Sequence, residues 1–153
     1  MIDAPLIKVE PPGPKAKEIL ELDKKLLMQS FVRWYPLVIE RGDGFIVEDV
    51  DGNRYIDFNS GLAVLNVGHN HPRVLNAIRE MLGKITHYSL TDFYYREAVD
   101  LAKKLVSIAP ISGDKKVFYG NSGAEAIEAC IKISRGHFRN KRPYLIAFYG
   151  AFH

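Results

Sequence analysis

The sequence predicts an α/β protein, because strand patterns and helix patterns alternate along its second half. Residues 116–119 have the composition of a strand, residues 122–138 carry apolar side chains at helical intervals, and residues 144–148 again resemble a strand. This order is typical of a βαβ unit in a parallel sheet with a right-handed crossover. A single unit leaves sheet edges uncovered, so we expect the chain to be the front part of a larger protein.

A β-hairpin is predicted in the first half of the chain. Strand patterns at residues 45–50 and 54–58 flank the Asp51-Gly52-Asn53 turn, whose residue types favour a tight reversal of the backbone. The same turn, together with Asp49, could instead indicate a calcium loop. The calcium loop is disfavoured, because Gly52 stands at the wrong position and no glutamate closes the loop.

Three helices are predicted before the βαβ unit. The first follows the proline-rich start, runs from residue 14 or 15 to about residue 29, and belongs to an arm that docks on the rest of the chain. The second, at residues 72–82, begins with a proline, which suits the first helical position. The third spans about residues 93–106.

The composition indicates an ordinary soluble globular domain. The 153 residues are 47% hydrophobic and 25% charged, and the net charge is +3. Basic and acidic residues are interleaved, which argues against a surface for nucleic acid or membrane. No apolar run approaches the ~20 residues of a membrane span and the N-terminus has no signal-peptide core, so we expect a cytoplasmic protein.

Residues 117–128 predict an anion site at a strand-to-helix turn. A helix start leaves its first backbone N–H groups without intrahelical partners and carries about half a positive charge, so it attracts phosphate. Gly120 and Gly123 let the backbone come close, and Ser122 adds a hydroxyl. Ser122 and Glu125 also have capping-box spacing. The alternative is a plain capped junction, which is common in α/β proteins.

A function of another class fits the same turn. The stretch from Gly120 to Ala124 nearly matches the Gly-x-Ser-x-Gly nucleophile elbow, so Ser122 could be the nucleophile of an α/β-hydrolase, although Ala124 replaces the final glycine. A non-catalytic interaction module, whose open sheet a partner covers, is the third alternative.

His69 and His71 could be proposed as metal ligands. No cysteine or carboxylate stands at ligand spacing from this pair. Hydrogen bonding within the loop is therefore favoured, and no metal is predicted.

Three segments match one enzyme family in order and spacing. They are residues 59–72 (NSGLAVLNVGHNHP), 121–126 (NSGAEA) and 147–153 (AFYGAFH). From about Trp34 to its last residue the chain resembles the class III pyridoxal-phosphate aminotransferases, especially the 4-aminobutyrate, ornithine and acetylornithine group, and related amino-acid racemases share these motifs. The resemblance implies a fold type I transferase. It places the N-terminal arm and hairpin part of the small domain in residues 1–72, and the beginning of the large cofactor-binding α/β domain in residues 73–153.

The resemblance implies a pyridoxal 5′-phosphate cofactor. In relatives the residues at the positions of Gly123 and Ala124, next to Ser122, donate backbone N–H groups to its phosphate, and the aromatic at the position of Phe152 stacks on the pyridine ring. A position in the core is the alternative for Phe152.

Trp34 and Leu62 fall where relatives line the substrate side. The resemblance implies an amino acid or ω-amino acid and a 2-oxo acid as substrates. Leu62 lacks a hydroxyl to engage a second charged group, so an ornithine-like donor is disfavoured relative to an apolar or neutral one. A core position is again the alternative for both residues.

The resemblance also implies which groups the chain lacks. The Schiff-base lysine, the aspartate at the pyridine nitrogen and the arginine for the substrate carboxylate lie downstream in relatives. We therefore expect no catalytic residue in this chain and no activity from these 153 residues alone. Relatives build each active site at a subunit boundary, so we expect a homodimer or higher homo-oligomer, with the aromatic residues 87–95 at the boundary.

Overall fold

A computed structural model describes residues 3–139 and 141–152 of the chain. The chain divides into two compact units, one ending at His87 and one beginning at Tyr88. The predicted domain boundary after residue 72 concerns the complete protein and stays a prediction. The first unit contains α1 (Pro14–Leu26), β1 (Ile39–Asp43), β2 (Ile46–Asp49), β3 (Arg54–Ile56), α2 (Ser60–Ala63) and α3 (Pro72–Leu82), and the second contains α4 (Arg96–Ile108) and α5 (Gly123–His137).

The sheet of the first unit is antiparallel, with the strand order β1-β2-β3. Ile46 lies opposite Ile56, and Glu48 lies opposite both Arg41 and Arg54 on its two neighbours. Glu48 bonds Arg41 Nη2 and Arg54 Nε at 2.7 Å each, so opposite charges face each other across the strands. The predicted hairpin is confirmed as β2 and β3.

The loop of this hairpin holds two buried polar residues. Asp49 is 3% exposed and Asn53 is 0% exposed. Asp49 Oδ1 accepts the backbone N–H groups of Asp51 at 3.0 Å and Asn53 at 2.8 Å, while Oδ2 accepts the Asn53 amide at 2.9 Å and the Tyr55 hydroxyl at 2.8 Å. Burial requires such partners. We call Asp49, Asp51, Asn53 and Tyr55 the hairpin-loop cluster.

The N-terminal arm is held by the same loop. Leu6 and Arg54 exchange backbone hydrogen bonds of 3.0 and 2.8 Å, which extends the sheet beyond β3. Asn53 Oδ1 accepts the N–H groups of Lys8 at 2.7 Å and Val9 at 2.9 Å. The prediction of a docked arm is therefore confirmed, with Asn53 at the contact.

Helix α1 is capped by a residue far away in sequence. The carboxylate of Asp51 accepts the N–H groups of Lys15 and Ala16 at 3.0 Å each, which satisfies donors of the first turn and places negative charge at the positive end of the helix. A Cβ on Gly13 would lie 2.4 Å from Asp51 Cγ. Glycine at position 13 is therefore what allows the loop to approach.

The predicted helices are all present, with small differences at their ends. α3 has the predicted bounds, and α5 begins after its N-cap Ser122. α1 ends at Leu26 instead of about residue 29, because Leu27 is extended, with φ −107° and ψ 144°. In the described ranges no helix combines the length and apolarity that a membrane crossing needs.

The strands predicted on either side of α5 are not formed. In the part of the chain that the structure describes, residues 116–119 and 144–148 belong to no β-ladder, so the predicted pairing of these segments is wrong. A strand depends on its neighbour's hydrogen bonds, and residue propensity alone supplies none. Tyr144, Ile146 and Phe148 are almost fully exposed.

Candidate functional site

The start of α5 has half of the predicted capping box. Ser122 is extended, with φ −150° and ψ 164°, and its hydroxyl accepts the Glu125 N–H at 3.2 Å. The second hydrogen bond of the capping box, from the N-cap N–H to the glutamate, is replaced by another. The Glu125 carboxylate accepts the N–H of Asn121 instead of that of Ser122. A Cβ on Gly120 would lie 3.3 Å from Glu125 Cβ, so the close approach expected at Gly120 is to this glutamate.

The N–H groups of Gly123 and Ala124 stand at the first two helical positions, where no intrahelical acceptor exists. Ser122, Gly123 and Ala124 are all exposed. A Cβ on Gly123 would meet no atom within 4 Å. The helix start therefore exposes two N–H donors that an anion can use. Glu125, the acidic residue of the first turn, places a negative charge at the positive end of the helix. This charge stabilises the helix but weakens the attraction of the helix start for another anion.

Three other predicted site residues lie on the surface. Trp34 is 81% exposed, Leu62 is 79% exposed and Phe152 is 98% exposed. None of them is packed in a core within the described chain, and their roles at a site stay predictions. Gly150, two residues before Phe152, has φ +74°. The structure places Ser122, Gly123 and Ala124 together at the start of α5, whereas Trp34, Leu62 and Phe152 are exposed apolar side chains.

Leu62 lies in the short element α2, whose four residues form a turn of left-handed backbone. Ser60, Gly61, Leu62 and Ala63 have φ values of 53°, 60°, 66° and 62°. Left-handed helix costs a residue other than glycine ~1–2 kcal/mol, so the three residues with side chains store roughly 3–6 kcal/mol. Such strain persists only where neighbouring contacts enforce it.

Asp57 and Asn59 supply the contacts that hold this turn. Asp57 Oδ1 accepts the N–H groups of Asn59 and Ser60 at 2.8 Å each, and Asn59 Oδ1 accepts the N–H of Leu62 at 2.9 Å. The second oxygen of Asp57 lies 2.6 Å from His69 Nε2. The hydrogen bond with His69 and that from the Ser60 N–H lower the pKa of Asp57, against a smaller opposing effect of burial.

Asp57 was not predicted as a site residue from the sequence. An aspartate two residues before an asparagine, within Asp57-Phe58-Asn59-Ser60, is a local turn signal that could have been used. The partnership with His69 has no local signal, because the two residues are separated by 12 positions.

The two histidines of the loop have different surroundings. His69 contacts Asp57 through its ring, and its backbone exchanges hydrogen bonds of 3.0 and 2.7 Å with Gly44. Loop hydrogen bonding is thus confirmed for His69. His71 Nδ1 is buried, with no partner in the described residues. Within residues 3–139 and 141–152, no three side chains of histidine, cysteine, aspartate or glutamate are grouped as metal ligands.

Comparison with known proteins decides the family. The family model described as aminotransferase class-III matches residues 28–153. The chain belongs to this family. The resemblance read from the three motifs is confirmed. Ser122 is also free of backbone strain, unlike the serine of a nucleophile elbow, so the α/β-hydrolase alternative has no support.

Relatives of more than one activity match the chain. An alanine/serine racemase of Pyrococcus horikoshii is 42% identical over 154 residues, covering 100% of this chain and 32% of that protein. An acetylornithine aminotransferase of Methanothermobacter thermautotrophicus is 43% identical over 138 residues, covering 90% of this chain and 34% of that protein. The chain thus spans about a third of the length of these curated relatives.

Solved structures confirm the predicted fold class, fold type I. The acetylornithine aminotransferase of Elizabethkingia anophelis matches with a TM-score of 0.70 and 34% identity, covering 78% of this chain and 29% of that one. An ω-transaminase of Pseudomonas jessenii in complex with PMP matches with a TM-score of 0.68 and 30% identity, covering 75% of this chain and 27% of that one.

Proposed function

We propose that this chain is part of a pyridoxal 5′-phosphate-dependent aminotransferase, which transfers an amino group from an amino acid or ω-amino acid to a 2-oxo acid. Family membership supports both the reaction class and the cofactor. The observation that carries the proposal is the exposed start of α5, where Gly123 and Ala124 offer backbone N–H donors that have no intrahelical acceptor. When bound, the cofactor supplies an electron sink for the charge left when the substrate loses its α-proton.

Each of the predicted cofactor residues has one role in this proposal. Gly123 and Ala124 donate their backbone N–H groups to the cofactor phosphate, which the helix dipole also attracts. Ser122 keeps the helix start in place by accepting the Glu125 N–H. Phe152, almost fully exposed, covers one face of the cofactor ring with its own flat apolar face.

Trp34 and Leu62 form the substrate side of the site in our proposal. Both are large, uncharged and exposed. A hydrocarbon wall gives no partner to a second charged group on the donor, so we propose an apolar or neutral donor in preference to ornithine. Turnover of ornithine above that of alanine, leucine and 4-aminobutyrate would contradict this preference.

We further propose that the Schiff-base lysine belongs to the part of the relatives' length that this chain does not cover. The complete protein is a cytoplasmic homodimer or higher homo-oligomer in this proposal. The aromatic residues after His87 support a subunit boundary, because Tyr94 is 102% exposed and Tyr88 packs edge-on against Phe93, with ring centroids 4.5 Å apart. Sedimentation of the complete protein, with Tyr94→Ser for comparison, measures the association.

Racemisation is the second candidate, because the racemase of Pyrococcus horikoshii matches all of this chain and an isoleucine 2-epimerase of Lentilactobacillus buchneri matches 91% of it. The complete protein, given one amino acid and no 2-oxo acid, distinguishes the two reactions. An aminotransferase stops after one amino group per active site. A racemase continues to invert its substrate over many turnovers, which chiral chromatography detects.

The phosphate site is tested by Gly123→Pro in the full polypeptide that the gene encodes. Proline suits the first helical position, and Ser122 already has the extended backbone that a following proline requires. The substitution therefore removes one N–H donor while the helix still starts. We expect the affinity for pyridoxal 5′-phosphate to fall about 10- to 100-fold, the value of one charge-assisted hydrogen bond.

Two comparisons separate loss of the donor from other damage. Gly123→Ala keeps the N–H group and adds only a methyl group, so it should bind pyridoxal 5′-phosphate more tightly than the proline variant does. Pyridoxal, which has no phosphate, should bind wild type and Gly123→Pro equally well. If Gly123→Pro prefers pyridoxal 5′-phosphate over pyridoxal as strongly as wild type does, the phosphate does not bind at this helix start.

A further inference from the structure

The left-handed turn at residues 60–63 combines an exposed side chain with a strained backbone. Leu62 has φ 66° and ψ 51°, values that a leucine rarely adopts, and its side chain is largely in solvent. Packing of Leu62 against this chain therefore does not account for the conformation. The conformation must be imposed by groups on either side of the turn.

Those groups connect the turn to the sheet in two steps. Asp57 binds the backbone of Asn59 and Ser60 with one carboxylate oxygen and His69 with the other. His69 in turn pairs through its backbone with Gly44, in the loop between β1 and β2. The position of the turn is thereby fixed relative to the hairpin.

The backbones on this path approach closely. A Cβ on Gly68 would lie 2.8 Å from the Gly44 carbonyl oxygen, and a Cβ on Gly42 would lie 2.6 Å from the His69 ring. The Asn70 side chain donates to the Gly42 carbonyl at 2.6 Å. The side chains of Asp57 and His69 are mostly buried, whereas the side chain of Leu62 is exposed. This combination of buried supporting side chains and an exposed Leu62 indicates that Asp57 and His69 fix the position of Leu62.

We propose that Asp57 and His69 are positioning residues that set donor preference, because they hold the left-handed turn and so fix where Leu62 meets the substrate. This inference rests on the proposed role of Leu62 at the substrate side. Neither Asp57 nor His69 contacts substrate in this proposal. They act through the backbone of the turn, and loss of their contacts moves the wall that Leu62 forms.

The test measures kcat/KM for alanine, leucine and 4-aminobutyrate in the complete enzyme and in three single variants. Leu62→Ala removes the wall itself, and Asp57→Ala releases the turn. We expect both to change the preference between alanine and leucine by about 10-fold and in the same direction, as expected when a pocket changes by a methylene or more. Glu48→Ala is the control, because it removes a carboxylate of the neighbouring strand that pairs with Arg41 and Arg54, and it should leave the preference unchanged.

The double variant Asp57→Ala/Leu62→Ala separates positioning from general damage. If Asp57 acts through Leu62, the double variant has the preference of Leu62→Ala alone. Equal loss with every donor, or changes that multiply in the double variant, would overturn the proposal. Asp57→Asn keeps an acceptor for the N–H groups of Asn59 and Ser60. It should restore most of the wild-type preference, and if Asp57→Ala does not fold, a preference in Asp57→Asn like that of Leu62→Ala overturns the proposal.

Cofactor binding distinguishes the two levels of the proposal. Each variant is titrated with pyridoxal 5′-phosphate before the kinetics. A wild-type protein that binds no cofactor and turns over no donor contradicts the proposed function itself. A wild-type protein that binds and reacts, with an Asp57→Ala variant of unchanged preference, contradicts only the positioning role of Asp57 and His69.

Discussion

The hairpin-loop cluster and the start of α5 both place polar groups at the first turn of a helix, and they differ in what satisfies those groups. In the hairpin, the Asp51 carboxylate accepts the N–H groups of Lys15 and Ala16 at the start of α1. At α5, the Ser122 hydroxyl accepts the N–H of Glu125. No intrahelical group accepts the N–H of Gly123.

The difference shows how to separate structural polar residues from candidate binding groups. Asp49 and Asn53 are buried and use their oxygens on groups of this chain, so a ligand there would have to displace several hydrogen bonds. Gly123 and Ala124 are exposed, and their N–H groups have no intrahelical acceptor. They are therefore the candidate binding groups, and our proposal places the anion at this second region.

The largest effect expected in this comparison comes from Asn53→Ala. The substitution leaves the N–H groups of Lys8 and Val9 without an acceptor and takes one donor from Asp49. At ~0.5–1.5 kcal/mol for each of these three hydrogen bonds, we expect the local unfolding free energy to fall by about 2–4 kcal/mol. Hydrogen exchange of the amides at residues 8 and 9 in the complete protein measures it.

The matched control is Asn76→Ala. Asn76 is an exposed asparagine of α3 whose side chain accepts one long hydrogen bond, 3.3 Å from Arg79. It should change stability by less than about 0.5 kcal/mol, as surface substitutions usually do. If the amides of residues 8 and 9 exchange as slowly in Asn53→Ala as in Asn76→Ala and wild type, the hairpin-loop cluster does not hold the arm.

A smaller effect is expected from Asp51→Ala, which removes the cap of α1. Loss of a capping side chain costs ~1–2 kcal/mol. Exchange should accelerate at residues 15–18 and stay unchanged in α5, which Ser122 caps separately. Asp51→Asn keeps an acceptor but no charge, so the stability of α1 in this variant should lie between those in wild type and in Asp51→Ala. Equal exchange in all three proteins would show that the helix start needs no cap from the hairpin.

The smallest effect concerns titration of the cluster. Burial raises the pKa of Tyr55 to about 12, and its hydrogen bond to Asp49 adds to the increase. Because the folded pKa is above the unfolded value of 10.0, the neutral phenol contributes stability that is complete below about pH 10 and is lost as pH rises through about 12. The phenolate absorbance of wild type minus that of Tyr55→Phe should show one tyrosine that titrates near 12. A difference curve centred at 10 would contradict the buried hydrogen bond.

At acid pH the sign is opposite. Burial acts to raise the pKa of Asp49, but hydrogen bonds from Asn53 and Tyr55 outweigh it, so the pKa is lowered. Asp49 therefore contributes stability above the ordinary carboxyl pKa of ~3.9, and this contribution disappears as pH falls through the folded pKa. Asp57 follows the same rule, because His69 lowers its pKa.

Features of short sequence range were predictable. The hairpin follows from the residue types of its turn, and the cap of α5 follows from a serine three positions before a glutamate. The three motifs together also predicted the family. Each of these features is decided by neighbours within a few residues, where turn and capping chemistry operate.

Features of long range were not predictable. Asp51 caps α1 through Lys15, which lies 36 residues earlier, and Asp57 meets a histidine 12 residues later. The residues next to Asp51 or Asp57 in the sequence do not indicate these distant partners. The segments beside α5 illustrate the same limit, because their strand-like composition specified no partner strand and none pairs with them in the described residues.

The contact of Gly68 with Gly44 has a practical consequence for protein engineering. A side chain at position 68 would collide with the Gly44 carbonyl oxygen, so we expect substitutions of Gly68 to misfold more often than substitutions at exposed positions. Trp34 and Leu62 are exposed on the surface. A small library at these two positions, which form our proposed substrate side, should leave β-branched residues out of position 62, because its backbone has φ 66°.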